Sequence, residues 1–114
     1  MHPKIERLRA WGCDIDPAMR RMLDDETFYL ECLHAIPEDK SFRELALALE
    51  RGDASAAFDH AHALKGILAS LGLTPMYDKT VEIVEPLRAG RQEDLAAKMA
   101  ELEEMRKQLD EILR

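Results

Sequence analysis

The residues best suited to chemistry lie in one stretch of the chain, AHALKGILASLG, at positions 61–72. His62 interrupts an apolar run, and Lys65 and Gly66 follow about one helical turn later. A histidine is partly neutral at cellular pH, and a neutral imidazole is a competent nucleophile. A lysine one turn away can offset negative charge delivered to the ring. A glycine inside a helix costs about 0.5–1 kcal/mol relative to alanine, so a packing or docking reason is expected. This combination suits a histidine that accepts a phosphoryl group.

A helical wheel places these residues on one flank of the predicted helix. The core stripe of that helix comprises small and aliphatic side chains (Ala57, Ala61, Leu64, Leu68 and Leu71), with Phe58 at its margin. His62 lies about 120° from the centre of the stripe, outside the core but beside it. Gly66 and Ala69 fall within about 40° of His62, and Lys65 within about 60°. The two positions with almost no side chain predict room for the active site of another protein to close over the histidine.

The other histidines lack this arrangement. His60 is two residues from His62 and therefore about 160° around the helix, so the pair cannot share a metal ion. We interpret His60 as a solvated or partly packed surface residue, and His2 and His34 have no partners at useful spacing.

Composition narrows the class of protein. The chain has 114 residues, a length typical of one domain, with 46% hydrophobic and only 5% aromatic residues. A net charge of −7 without any basic patch argues against nucleic acid as a partner. The two cysteines, Cys13 and Cys32, are too few for a disulfide framework, and we expect reduced thiols. No apolar leader or membrane span is visible, which predicts a soluble cytoplasmic protein.

The apolar pattern predicts an all-α fold, an antiparallel four-helix bundle of up-down-up-down topology with a short N-terminal helical cap. We expect a single domain over residues 1–114, with the cap in residues 1–23 and the bundle in residues 24–114. The bundle stripes, in chain order, are Phe28, Leu30, Leu33, Ile36, Phe42, Leu45 and Leu49; the stripe around His62; Met76, Thr80, Ile83, Val84 and Leu87; and Leu95, Met99, Leu102, Met105, Leu109 and Ile112.

Capping and breaking residues mark the predicted helix ends. Helix starts are expected at Asp16-Pro17, at Asp24 or Asp25, at Asp53, at Thr74-Pro75, and at Glu93 and Asp94. Helix ends are expected at Gly12, Gly52, Gly72 and Gly90. Pro37 must kink or break the element that spans residues 26–51, and Pro86 is expected to loosen the last turn of its helix.

The stretch Ala61-His62-Ala63-Leu64-Lys65-Gly66, followed by Gly72, resembles the signature of histidine-containing phosphotransfer (HPt) domains. That signature is a histidine with lysine at +3 and glycine at +4 and +10. Gly12 to Asp16, followed by Asp25 to Leu30, resemble the entry segment of this family, an acidic turn that leads into the first bundle helix. The run from Leu47 to Asp53 resembles the one that precedes the histidine helix of the family. The departures are Ile67 and Leu68, where many members have smaller residues, and Pro86, where the third bundle helix of the family usually continues.

The resemblance implies a role in a two-component phosphorelay. In such domains the histidine takes a phosphoryl group from the aspartyl phosphate of a receiver domain and passes it to another receiver, reversibly. By position, His62 would be the phosphoacceptor through its outward ring nitrogen, Lys65 the charge partner, and Gly66 the small residue that lets the receiver approach. The helical wheel adds Ala69 as a second docking position. The receiver supplies Mg²⁺ and most catalytic groups, so the chain would be a relay component and not an enzyme, with no cofactor of its own. The implied partners are response-regulator receivers and a hybrid histidine kinase.

Other interpretations remain open at this point. His62 can be a surface histidine that borders a core, and the chain can be a helical adaptor or pseudo-phosphotransfer module that binds a receiver or kinase without being phosphorylated. A di-metal bundle is disfavoured because such sites need a Glu-x-x-His pattern on two helices, and the sequence has it only once, at Glu31 and His34. The start at Met1 and the end at a helix terminus favour a free-standing protein over a segment of a larger kinase, and we expect a monomer. The sequence does not identify the partner kinase, the regulators or the output pathway.

Overall fold

The computed structural model describes residues 2–114, and in this range the chain forms α-helices and no strands. The all-helical prediction is therefore confirmed, as expected for a chain rich in Leu, Ala, Met and Glu. In chain order, the helices are α1 (Pro3–Ala10), α2 (Ile15–Arg21), α3 (Glu26–His34), α4 (Lys40–Arg51), α5 (Ala54–Ser70), α6 (Thr74–Arg88) and α7 (Ala96–Leu113).

Aspartate side chains cap three of these helices at their N-termini. Asp25 accepts a hydrogen bond from the amide of Phe28 at 3.0 Å, and Asp39 accepts one from Ser41 at 2.8 Å. Asp53 caps α5 through the amide of Ala56 at 3.1 Å. The predictions for Asp25 and Asp53 are confirmed, because these side chains satisfy amides that have no partner within the helix.

Two predicted caps are wrong by one or two residues. Helix α2 begins at Ile15, before Asp16, and the Asp16 carboxylate instead lies 3.1 Å from the guanidinium of Arg9. Helix α6 begins at Thr74 itself, whose hydroxyl is 3.4 Å from the carbonyl of Gly72. Both helices start without a side-chain cap, and each has a proline in its first turn, where the missing amide costs no intrahelical hydrogen bond.

The segment over residues 26–51 is broken, as predicted from Pro37. Helix α3 ends at His34 and α4 begins at Lys40, so the element is two helices. The expected face is wrong at one position, because Phe28 is 48% exposed and its neighbour Tyr29 is fully buried. The Tyr29 hydroxyl donates a 2.6 Å hydrogen bond to the carbonyl of Leu71, so the polar group of this buried side chain has a partner.

The four helices after Pro37 pack in a ring, in which each helix contacts two others. Helix α4 lies on α5, α5 on α6, and α6 on α7, and α4 also contacts α7. Helix α1 packs against α2 and α7, and α3 against α7. The buried core is mainly aliphatic, and it includes every predicted stripe residue of α5 and α6. The result is an elongated molecule with extents of 43 × 23 × 20 Å.

Left-handed glycines follow two of the helices, α4 and α6. Gly52, whose φ is 73°, and Asp53 are the two residues that connect α4 to α5. Helix α6 continues through Pro86 to Arg88 and stops before Gly90, whose φ is 76°. Glycine adopts this conformation without the steric cost of a Cβ atom. Within residues 2–114, none of the helices combines the length and the apolar character that a membrane span requires.

Candidate functional site

His62 lies in the middle of α5 with its side chain exposed. The residues that fix its helix are buried on the opposite side: Ala61, Leu64 and Leu68 are each at most 1% exposed. The backbone under the histidine is therefore anchored in the core, while the imidazole itself is accessible to a partner.

The imidazole of His62 stacks on the ring of Phe58, one turn earlier in α5. The ring centroids are 5.6 Å apart and the planes differ by 13°. Phe58 is half-buried, and the sequence interpretation placed it only at the margin of the core. Spacing of four residues brings two side chains together on a helix surface, so the i,i+4 pair was the signal that could have identified this contact.

Helix α6 contributes Arg88 to the same group of side chains. The guanidinium carbon of Arg88 lies 5.2 Å from the centroid of the Phe58 ring, a cation–π distance. Its Nε is also 3.4 Å from a carboxylate oxygen of Glu85 on the same helix. The end of α6 is thus connected to the histidine through an aromatic ring.

The predicted flank on the other side of His62 is open. Gly66 and Ala69 are exposed, and a Cβ atom built on Gly66 would meet none of the described residues packed around the helix within 4 Å. The Gly66 carbonyl accepts a hydrogen bond from the Ser70 hydroxyl at 3.0 Å. Packing within the described residues therefore gives no reason for glycine at this position.

Lys65 lies at the edge of the core and is half-buried. Its ammonium group forms no hydrogen bond or ion pair with another described residue. The alkyl part of Lys65 is partly buried, and its ammonium group can therefore pair with an anion that binds beside it.

The C-terminal end of α5 is held by residues distant in the sequence. The guanidinium of Arg21 donates to the carbonyls of Ser70 and Ala69 at 3.0 and 3.1 Å. The Tyr29 hydroxyl donates to Leu71, and burial raises the pKa of this phenol. These donors satisfy carbonyls that a helix end leaves without partners, and they fix the end of the helix that carries His62. Sequence reasoning did not identify either contact.

Cys13 and Cys32 are both free thiols. Burial raises the pKa of Cys13 to about 12, although a hydrogen bond with the Thr74 backbone opposes this. Among residues 2–114, no cluster of three or more His, Cys, Asp or Glu side chains is placed to hold a metal ion.

The residues around His62 fall within a known family pattern. The model of the Hpt domain matches residues 31–112, which is more than half of the 114 residues and contains α4, α5 and α6. His62, Lys65 and Gly66 all fall inside the matched region. No significant similarity was found to any curated protein or solved structure. On the strength of the family match, the chain belongs to the histidine-containing phosphotransfer (Hpt) domain family.

Proposed function

We propose that His62 is the phosphoacceptor of a phosphorelay, loaded by the aspartyl phosphate of one receiver domain and unloaded onto another. Hpt domains as a family carry out phosphotransfer in phosphorelays, together with receiver domains and histidine kinases. The observation that supports His62 is its exposed imidazole in the middle of α5, inside the region matched by the family model.

Each transfer forms one bond to phosphorus and breaks another, and the two proteins supply both reacting groups. The lone pair of one imidazole nitrogen attacks phosphorus, the bond to the aspartyl oxygen breaks, and the receiver aspartate leaves as a carboxylate. The other ring nitrogen keeps its proton during attack and can release it to solvent afterwards. In the reverse direction, the other ring nitrogen takes a proton back from solvent, a second receiver aspartate attacks phosphorus, and neutral imidazole leaves. Positioning and charge stabilisation are the main requirements of phosphoryl transfer.

Lys65 is the proposed charge partner of the phosphorylated ring. It lies at +3 from His62, one turn along the helix, and its ammonium group has no other partner in residues 2–114. A hydrogen bond between ionised groups is shorter and about twice as strong as a neutral one, so an ammonium near the phosphoryl group would stabilise the loaded form.

Gly66 and Ala69 are the proposed docking positions. Both are exposed, and the glycine has no packing explanation among the described residues. An interior glycine destabilises a helix, and no contact with a described residue requires glycine here. Its presence is therefore consistent with close approach of a partner at this position. We further propose that the receiver brings the Mg²⁺ and most catalytic groups, so that this chain needs no cofactor and acts as a relay component.

We also infer that α4 to α7 form an antiparallel bundle, with α3 extending its first helix. Two observations support this topology: α4 contacts both α5 and α7, which closes the circle of neighbours, and the connections from α4 to α5 and from α5 to α6 are very short. Short connections favour antiparallel neighbours. Helices α1 and α2 would then be the N-terminal cap.

The test is incubation with a ³²P-labelled receiver domain in the presence of Mg²⁺. We expect label on this chain that is lost in acid and retained in base, as for a phosphoramidate and unlike an aspartyl phosphate. His62→Gln should abolish the label, and His60→Gln, the matched control on the same helix, should retain it. Tight receiver binding without transfer would instead favour a pseudo-phosphotransfer adaptor, and unchanged labelling of the His62 variant would exclude this residue as the acceptor.

A further inference from the structure

The stack between Phe58 and His62 is not required by the phosphotransfer signature, which begins at the histidine. It depends on a phenylalanine four residues before the acceptor, and the two rings are nearly parallel, with a 13° angle between their planes. Helical side chains lean toward the N-terminus, so the imidazole leans toward Phe58 and away from Gly66. The contact therefore lies on the side of His62 opposite the open flank.

Stacking on Phe58 leaves the nucleophilic nitrogen of the imidazole accessible. The nucleophilic lone pair lies in the plane of the ring, at its edge, whereas stacking covers a face. A phenyl ring that covers the face restricts rotation of the imidazole about its terminal torsion, which is otherwise broad and roughly two-fold, and it leaves the nitrogen at the edge accessible. Less orientational freedom has to be lost when the receiver docks.

We propose that Phe58 is a positioning residue for phosphoryl transfer, which holds the imidazole of His62 in the orientation that presents its outward nitrogen to a receiver. Phe58 does not touch the reacting phosphorus and acts through the histidine. This inference rests on the proposed function of His62.

Arg88 supports the Phe58 ring from a second helix. Its guanidinium carbon is 5.2 Å from the ring centroid, and Glu85 restrains the guanidinium at 3.4 Å. A ring with contacts to both α5 and α6 has fewer accessible orientations than one that packs on its own helix alone. We expect Arg88→Gln to have an effect in the same direction as loss of the ring, but smaller.

The stack can be tested without any phosphotransfer. In the NMR spectrum of the unphosphorylated protein, the ring protons of His62 should be shifted by the ring current of Phe58. Phe58→Leu should move these resonances toward the values of an unstacked histidine, Phe58→Tyr should preserve them, and those of His60 should be unaffected. His62 resonances that do not respond to Phe58→Leu would overturn the inference whatever the activity of the protein.

Kinetics then separate positioning from docking and from folding. At saturating phosphorylated receiver, Phe58→Leu should slow transfer by about 2- to 10-fold, the factor that corresponds to an aromatic pair. The Kd for the receiver should stay within about twofold, a change under 0.5 kcal/mol, and Phe58→Tyr should restore the rate. Equal rates for the wild-type and Leu variants, with His62→Gln inactive, would overturn the positioning role and leave the proposed function intact. Absence of transfer in the wild-type protein, with the stack present by NMR, would remove the proposed function and this inference together.

Discussion

The amide of Asp14 donates a 2.9 Å hydrogen bond to the carbonyl of Gly72, and this contact joins the N-terminal segment to the end of the helix that carries His62. Gly72 has φ of 71°, and a Cβ atom at this position would overlap the carbonyl of Asp14 and press on Ala18. The glycine that the sequence predicts as a helix terminator thus has a second function, because it permits two backbone segments to approach.

Gly72→Ala should therefore destabilise the protein by about 2–4 kcal/mol. This is the sum of two costs, that of a left-handed conformation in a residue other than glycine and that of the overlap between its Cβ atom and the backbone of Asp14. Urea unfolding followed by circular dichroism measures the change. Gly90→Ala is the matched control, since Gly90 has a similar φ of 76° but open space around its Cβ direction. It should lose only the conformational part, about 1–2 kcal/mol. Equal losses in the two variants would show that close approach to Asp14 contributes nothing.

Gly66→Gln should have opposite effects on stability and on function. The exposed helix gains about 0.5–1 kcal/mol when a better helix former replaces glycine, because the new side chain meets open space. If Gly66 is a docking position, transfer from a receiver should fall by about tenfold or more, which corresponds to a loss of at least 1.4 kcal/mol. Unfolding and transfer assays are compared on the same samples.

Ala63→Gln is the control for this substitution, at an exposed position about 100° around the helix from His62, beyond the range of about 40° in which Gly66 and Ala69 lie. It should leave transfer unchanged. Wild-type transfer by the Gly66→Gln variant would contradict the docking role.

Tyr29→Phe should destabilise the protein by about 1–3 kcal/mol, because the carbonyl of Leu71 would remain buried without its donor. The measurement is the midpoint and slope of urea unfolding. Tyr77→Phe provides the control, since Tyr77 is only half-buried and its hydroxyl has no hydrogen bond to a described residue. A loss for Tyr29→Phe no larger than that of Tyr77→Phe would contradict the importance of this bond at the end of α5.

The ion pairs of Glu82 predict that the stability of the protein depends on pH. Its pKa is lowered from the ordinary value of 4.5, first by the hydrogen bond from Lys98 on α7 and then by that from Lys79 on α6. Because the folded pKa is below the unfolded one, Glu82 stabilises the fold fully above the unfolded pKa, and this contribution is lost as the pH falls through the folded pKa. Glu82→Gln should reduce the fall in Tm between pH 6 and pH 3, while Glu104→Gln, an exposed residue without an ion pair, should leave it unchanged. An identical fall in wild-type and Glu82→Gln proteins would contradict this assignment.

The sequence was most informative where the physics is local. The stripe of α5, its cap at Asp53 and the helix break at Pro37 follow from periodicity, capping and the missing proline amide, and all three are present. The exposure of the helix flank that carries His62 and Gly66 follows from helical geometry alone.

The errors and omissions arise where distant segments meet. Tyr29 is buried in place of the exposed Phe28, and the carbonyl that pairs with its hydroxyl belongs to Leu71, 42 residues further along the chain, so no local pattern carries that information. Arg21 donates to the end of α5 from a helix far away in the sequence. The contact between Arg88 and Phe58 likewise requires the packing of α6 on α5. The Phe58–His62 stack is the exception, since its spacing was visible in the sequence and only its geometry was not.

The central claim is that His62 carries the phosphoryl group, and the most direct measurement is its location on the intact protein. A ¹H–³¹P correlation spectrum, recorded at neutral or basic pH after transfer from a receiver, joins phosphorus to the ring protons of the phosphorylated histidine. We predict one phosphoryl group, coupled to the His62 ring, and none in the His62→Gln variant. Phosphorus coupled to His60 or to another side chain, or a wild-type protein that binds a phosphorylated receiver with Mg²⁺ and never acquires phosphorus, would contradict the account.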